Sequence, residues 1–206
     1  MDKEKKMERL GIYGGTFSPP HNGHIHAAKA FLDNMALDSL LIVPTFMPPH
    51  KTRTEETGAQ DRLAMCKAAF SFSDKIKVCD LEIQRQGMSY TSDTLRALAA
   101  DGRQLFFLCG TDMLLTMDDW HEPDVIFHLA DIVCVAREND SAIRIALEAK
   151  ADFYREKYGA RVHLLSLPAL EQSSSEIRLA IAEGKAWEHM LPSSVAAYIR
   201  KEGLYR

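Results

Sequence analysis

The densest chemistry in the sequence lies in eleven consecutive residues, Gly14-Gly15-Thr16-Phe17-Ser18-Pro19-Pro20-His21-Asn22-Gly23-His24. Two glycines let a backbone approach a phosphate closely, and a helix opening just after them adds N–H donors and a positive dipole end. His21 and His24 are three apart, so they share one face of that helix start and can both donate to phosphate oxygens. No acidic or cysteine ligand set stands beside them, which argues against a zinc pair. A second stretch, Pro44-Thr45-Phe46-Met47-Pro48-Pro49-His50-Lys51, is stiffened by its prolines and ends on a cation suited to ATP phosphates. A third, Ser89 to Leu95, offers Thr91, Ser92 and Asp93 as helix N-caps, and the same helix start could give N–H groups to a carboxylate. Gly110-Thr111-Asp112 closes an apolar run, placing Asp112 where it suits a ribose hydroxyl. Trp120, in the polar string Asp118-Asp119-Trp120-His121-Glu122, is on no clear core stripe and could stack on a flat heterocycle. Finally, Ser173-Ser174-Ser175-Glu176-Ile177-Arg178 reads as a capping box and equally as a polyphosphate site.

These residues need elements to hold them. Short apolar runs at 10–13, 40–43, 76–83, 105–109, 132–136 and 162–167 read as strands. Amphipathic stretches at 21–35, 63–70, 94–100, 141–158, 176–183 and 193–201 read as helices, several ending at glycine. The alternation predicts an α/β fold, a Rossmann-like doubly wound parallel sheet with helices on both faces. A single domain over 1–206 is expected, with 173–206 a small helical C-terminal part. Ligands of such sheets bind in loops after the strands, where most of the stretches above fall.

Composition narrows the class. The 206 residues are 46% hydrophobic and 26% charged, ordinary for a folded domain. A formal net charge of −4 lacks the basic footprint of a nucleic-acid binder but leaves room for a local phosphate pocket. Cys66, Cys79, Cys109 and Cys134 form no C-x-x-C pair and read as small hydrophobes of a reducing compartment. Met1 to Arg9 is charged with no apolar run behind it, and no stretch approaches the ~18 apolar residues of a membrane helix. The reading is a cytoplasmic protein without membrane or nucleic-acid partners, and a homo-oligomer stays open.

The motifs also resemble those of a known family. Gly14 to His24 resembles the G-G-T-F-D-P-x-H-x-G-H signature of the H-x-G-H nucleotidylyltransferases, with Ser18 in place of Asp. Pro44 to Lys51, Ser89 to Leu95, the Gly110–Asp112 segment with Trp120, and Ser173 to Arg178 resemble, in order, segments of bacterial nicotinate-nucleotide adenylyltransferases. Gln172 and Ser175 depart mildly from the last of these. The resemblance runs from 9 to 205. It implies in-line transfer of AMP from ATP to nicotinate mononucleotide, giving nicotinate adenine dinucleotide and pyrophosphate, with Mg²⁺ accompanying ATP. His21, His24, Lys51 and Arg178 would then be catalytic. ATP would also meet Gly14, Gly15, Thr16, Phe17, Gly110, Asp112, Ser174 and Ser175. The mononucleotide would meet Thr16, Lys51, Tyr90, Thr91, Trp120 and His121. Two rivals remain: another H-x-G-H adenylyltransferase, for nicotinamide mononucleotide or pantetheine phosphate, and a non-catalytic nucleotide sensor.

Overall fold

The computed structural model describes residues 7–49, 57–137, 141–167 and 172–206. The elements run β1 (Glu8–Gly15), α1 (Asn22–Asn34), β2 (Ser39–Pro44), α2 (Ala59–Ala69), β3 (Ile76–Val78), α3 (Leu81–Arg85), α4 (Thr91–Leu98) and β4 (Arg103–Gly110). There follow α5 (Thr111–Thr116), α6 (Pro123–Leu129), β5 (Ala130–Arg137), α7 (Ser141–Tyr158), β6 (Val162–Leu167), α8 (Ser174–Ala182) and α9 (Ser193–Glu202). The sheet order is β3-β2-β1-β4-β5-β6, and β1–β4, β4–β5 and β5–β6 pair in parallel. That is the Rossmann-like doubly wound order expected from the alternation. Gly15 and Gly110 are the last residues of β1 and β4.

Packing divides the chain into two compact units. The first comprises Met1–Gly14, Ala30–Leu41 and Tyr90–Ala169. Its central strand β4 has every residue from Leu105 to Cys109 buried, as a strand covered on both faces must be. Gly11 of β1 admits its neighbours so closely that an added Cβ would stand 2.4 Å from Leu37 Cδ1 and 2.9 Å from Phe31. Leu147, Ala151 and Tyr154 of α7 are buried at helical spacing, and the Tyr154 hydroxyl donates to the Leu114 carbonyl (2.7 Å). Asp131 of β5, itself buried, accepts from Arg161 Nε (2.5 Å) and Gln104 Nε2 (3.2 Å), and lies 3.2 Å from His163 Nε2. Arg9 extends this polar row, bonding Gln104 and the Met35 carbonyl while lying over the Phe106 ring.

The second unit comprises Gly15–Lys29, Ile42–Ser89 and Leu170–Arg206. Here α9 is fastened to α2: Tyr198 donates to Asp61 (2.9 Å) and Ser194 to the Ala68 carbonyl (2.9 Å). Gly203 ends α9 in the left-handed region at φ 66°, the conformation for which a helix-terminal glycine is suited.

Some expectations are corrected. The strand expected over 76–83 stops at Val78, and Leu81–Arg85 is helical, with Asp80 as its N-cap. Two helices not read from the sequence, α5 and α6, follow β4. Thr91, Ser92 and Asp93 are not caps but the first turn of α4; Tyr90 is its N-cap, and the Tyr90 side chain makes no capping bond. Cys66, Cys109 and Cys134 are buried as expected, while Cys79 keeps partial exposure.

Candidate active site

In the second unit the glycine-rich loop leaves β1 and turns into α1. Phe17 occupies the left-handed region at φ 51° and is buried, its ring meeting the His24 ring edge-on at 5.1 Å. His21 and His24 are in ring contact, with centroids 3.7 Å apart. The His21 carbonyl accepts from the His24 and Ile25 N–H groups, which starts the helix. The His21 N–H donates to His24 Nδ1 at 3.1 Å. An Nδ1 that accepts must be unprotonated, so in the neutral ring the proton sits on Nε2 and makes that nitrogen a donor. Gly23 permits the arrangement, since a Cβ there would lie 3.0 Å from His21 Cε1 and Nδ1.

Both imidazoles are held neutral. Burial pushes His21 down to about 4, against a smaller upward pull from the Glu176 carboxylate. Burial, then the neighbouring His21, holds His24 well below the ordinary 6.5. Near neutral pH both rings are therefore neutral rather than cationic. The buried His21 Nδ1 has no hydrogen-bond partner among the described residues. Leaving such a group unpaired costs about 1–3 kcal/mol, a strain relieved by a ligand able to pair with it.

The start of α8 meets the same loop. Arg178 Nη1 donates to the Ser18 carbonyl (2.7 Å), its Nη2 donates to Ser175 Oγ (3.2 Å), and Ser174 Oγ donates to the Pro19 carbonyl (3.0 Å). The expected capping box is present, with Ser173 and Glu176 bonding each other reciprocally. The Ser18 hydroxyl is hydrogen-bonded to the Tyr205 hydroxyl (3.2 Å). Thus Gly15, Thr16, Phe17, His21, His24, Ser174, Ser175 and Arg178 fall in one unit. Lys51 lies outside the described residues.

The first unit gathers the remaining expected residues. Tyr90 and His121 stack obliquely, centroids 4.2 Å apart. Trp120 is half-buried and meets Phe107 of β4 edge-on at 6.3 Å. An added Cβ on Gly14 would contact that same Phe107 ring at 3.7 Å. Thr91 opens α4, Gly110 is exposed at the end of β4, and Asp112 is exposed in the first turn of α5. Around them runs a charged surface network. Arg96 grips Glu122 through two bonds (2.5 and 2.7 Å), and His121 Nε2 lies 3.4 Å from Glu122. The Arg96 guanidinium holds the Glu122 carboxyl down to about 2.

Sequence reasoning did not single out two residues that the structure places beside these positions. Arg62 of α2 is buried and donates to the carbonyls of Thr16 and Phe46. Glu122 takes the left-handed conformation at φ 51° while receiving Arg96. Neither stands in a recognisable motif; the only signal was an arginine among apolar residues in Asp61-Arg62-Leu63-Ala64-Met65. Among the described residues no group of three or more His, Cys, Asp or Glu could hold a metal ion. No helix among them is long and apolar enough to cross a membrane.

A cytidylyltransferase-like family model matches residues 12–180. A protein of Desulfitobacterium hafniense strain Y51, named a probable nicotinate-nucleotide adenylyltransferase, is 38% identical over 97% of this chain and 96% of its own length. One of the same name from Neisseria meningitidis serogroup B is 35% identical over 97% of this chain and 99% of its own. The fold is shared with Plasmodium falciparum nicotinic acid mononucleotide adenylyltransferase complexed with NaAD. Its TM-score is 0.74 at 20% identity, covering 96% of this chain and 97% of that one.

Proposed function

We propose a reaction for a chain that belongs to the cytidylyltransferase-like family and, within it, to the nicotinate-nucleotide adenylyltransferases. It joins nicotinate mononucleotide and ATP into nicotinate adenine dinucleotide and pyrophosphate. An oxygen of the mononucleotide phosphate attacks the α-phosphorus of ATP in line. The new P–O bond forms as the α–β bridging bond breaks, and pyrophosphate leaves with the electron pair. No covalent enzyme intermediate is needed, so catalysis is positioning and charge stabilisation.

The observation that carries this reading is the His21–His24 pair. His24, with Nδ1 occupied by the His21 N–H, would present Nε2–H to the α-phosphate, and His21 would donate to the ATP phosphates. Donors already oriented in a buried loop need no reorganisation when charge develops. Arg178 and Lys51 would hold the pyrophosphate end. Gly14 to Phe17, Gly110, Asp112 and the serines 174 and 175 would line the ATP side. On the mononucleotide side Trp120 would stack on the pyridine ring beside Tyr90, Thr91 and His121, with Thr16 and Lys51 near the phosphate. With no carboxylate cluster to hold it among the described residues, Mg²⁺ would arrive on the ATP phosphates, mostly water-coordinated, and neutralise their charge. We read 1–206 as one nucleotidylyltransferase domain with 173–206 its helical C-terminal part. Its four free cysteines suit a reducing cytoplasm.

The α4 start, where the N-cap Tyr90 makes no side-chain capping bond, would favour an acid over an amide. N–H donors bind a carboxylate through charge-assisted bonds of about 1.5–3 kcal/mol each, whereas an amide NH₂ would face donor against donor. The test is turnover of purified protein with ATP, Mg²⁺ and a panel of mononucleotides. Pyrophosphate release with nicotinate mononucleotide, at a kcat/KM roughly 10²–10⁴ above that for nicotinamide mononucleotide, is expected. No product at high enzyme concentration overturns the reaction, and equal kcat/KM for acid and amide overturns the donor-only pocket.

A further inference from the structure

Arg62 belongs to none of the motifs that identify the chain, yet only 3% of its surface is exposed. Burying a guanidinium is costly unless its N–H groups find acceptors. Two of its acceptors are main-chain carbonyls on different loops. Nη1 donates to Thr16 of the glycine-rich loop (2.9 Å), and Nη2 donates to Phe46 of the proline-rich loop (3.1 Å). Those loops are also joined by the Thr45 N–H, which donates to the Gly15 carbonyl (2.9 Å). The far side of the proline-rich loop is pinned where the Phe46 N–H donates to Ser89 Oγ (2.9 Å). Arg62 stands on a fixed post, because its neighbours Asp61 and Ala68 on α2 bind Tyr198 and Ser194 of α9. A planar fork can serve two divergent acceptors at set positions, which the point charge of a lysine cannot.

We infer that Arg62 is a positioning residue for adenylyl transfer, one that sets the spacing of the glycine-rich and proline-rich loops through the Thr16 and Phe46 carbonyls. The inference rests on the adenylyltransferase reading. Arg62 acts through the carbonyls it holds, in the loop that carries His21 and His24 and in the one that continues toward Lys51. Loss of the fork lets the loops drift, and a drift of about 1 Å far from the reacting atoms can cost roughly 10²-fold in rate.

The experiment compares wild type, Arg62→Met, Arg62→Lys and Arg62→Ala by steady-state kinetics in both substrates, with thermal unfolding of each. Arg62→Met should lose about 10²-fold in kcat with a smaller change in either KM, and Arg62→Lys, serving one carbonyl, should fall between. Millimolar guanidinium should restore about tenfold of the kcat lost in Arg62→Ala by refilling the vacated place, which a residue needed only for folding would not allow. If Arg62→Met fails to fold, Arg62→Lys decides. A native melting temperature with about tenfold lower kcat supports the inference, and wild-type kcat overturns it. Variants that keep wild-type kcat per folded molecule overturn it as well. A wild type without activity removes the adenylyltransferase reading and this inference with it, whereas an active wild type beside unchanged variants removes this inference alone.

Discussion

The glycine-rich loop and the aromatic surface near Trp120 present their polar groups in opposite ways. Around the loop, Ser18, His21 and Arg62 are all buried, and Ser18 and Arg62 are hydrogen-bonded to other parts of the same unit. Near Trp120, Arg96, His121 and Glu122 keep 44%, 49% and 37% of their side-chain surface in water, and they bind one another there. The buried groups have little freedom, and burial holds the His21 ring neutral, a fixed polar setting of the kind that stabilises developing charge. The exposed groups are screened and adjustable, so they can shape a surface at little cost to the fold. On the proposed reading, rigidity would sit with the phosphate chemistry and adaptability with the grip on the ring.

The comparison breaks first at His24. Removing the Nε2 donor with His24→Ala should lower kcat by roughly 10²–10³, as loss of one oxyanion donor does. It also deletes the acceptor of the His21 N–H. A stability loss of about 1 kcal/mol should therefore accompany it, measurable by urea unfolding.

Acid should separate the regions next. The folded-state value of His21 is about 4 against an ordinary 6.5, so folding favours its neutral form. That contribution is whole above about pH 6.5 and is lost as the pH falls toward 4; at about 1.36 kcal/mol per unit it amounts to roughly 3 kcal/mol. Glu122 behaves in the reverse sense. Its contribution is present above 4.5 and is lost only as the pH falls through about 2. Urea midpoints between pH 7 and 4 should fall more steeply for wild type than for His21→Gln, while Glu122→Gln should leave that slope alone.

A subtler break is Gly23→Ala. Alanine favours a helix by about 1 kcal/mol over glycine. Here its Cβ would press on the His21 ring at 3.0 Å. Melting temperature should hold or rise while kcat falls by about tenfold, separating loop geometry from stability. Smallest of all should be Arg96→Ala. Its ion pair with Glu122 is exposed, and exposed pairs contribute little. Turnover with both substrates should stay within about twofold of wild type. A large loss there would move the surface network into the catalytic machinery.

How far the sequence foretold this differs by region for physical reasons. Leu105–Cys109 was legible because a parallel strand buried on both faces needs an unbroken apolar run. The glycine-histidine loop and the Ser173 capping box were legible because their chemistry is local in sequence. The strand expected to reach Ile83 failed because Leu81 and Ile83 look alike in either period over so short a stretch. The short helices α5 and α6 had too few residues to show a period. Arg62 was invisible because its two acceptors, Thr16 and Phe46, lie 46 and 16 residues away.

The polar row built on Asp131 guards the sheet against one particular error. A strand that slips by a single residue turns every side chain to the opposite face. Were β5 to slip so, Asp131 would leave Gln104, Arg161 and His163 behind, each stripped of its shared acceptor. Apolar neighbours such as Ile132 and Val133 could trade places with little complaint; a lone carboxylate among donors cannot. The alignment of β5 beside β4, and with it the height at which Gly110 ends its strand, is thus proofread by a charge placed four residues upstream of that glycine's level.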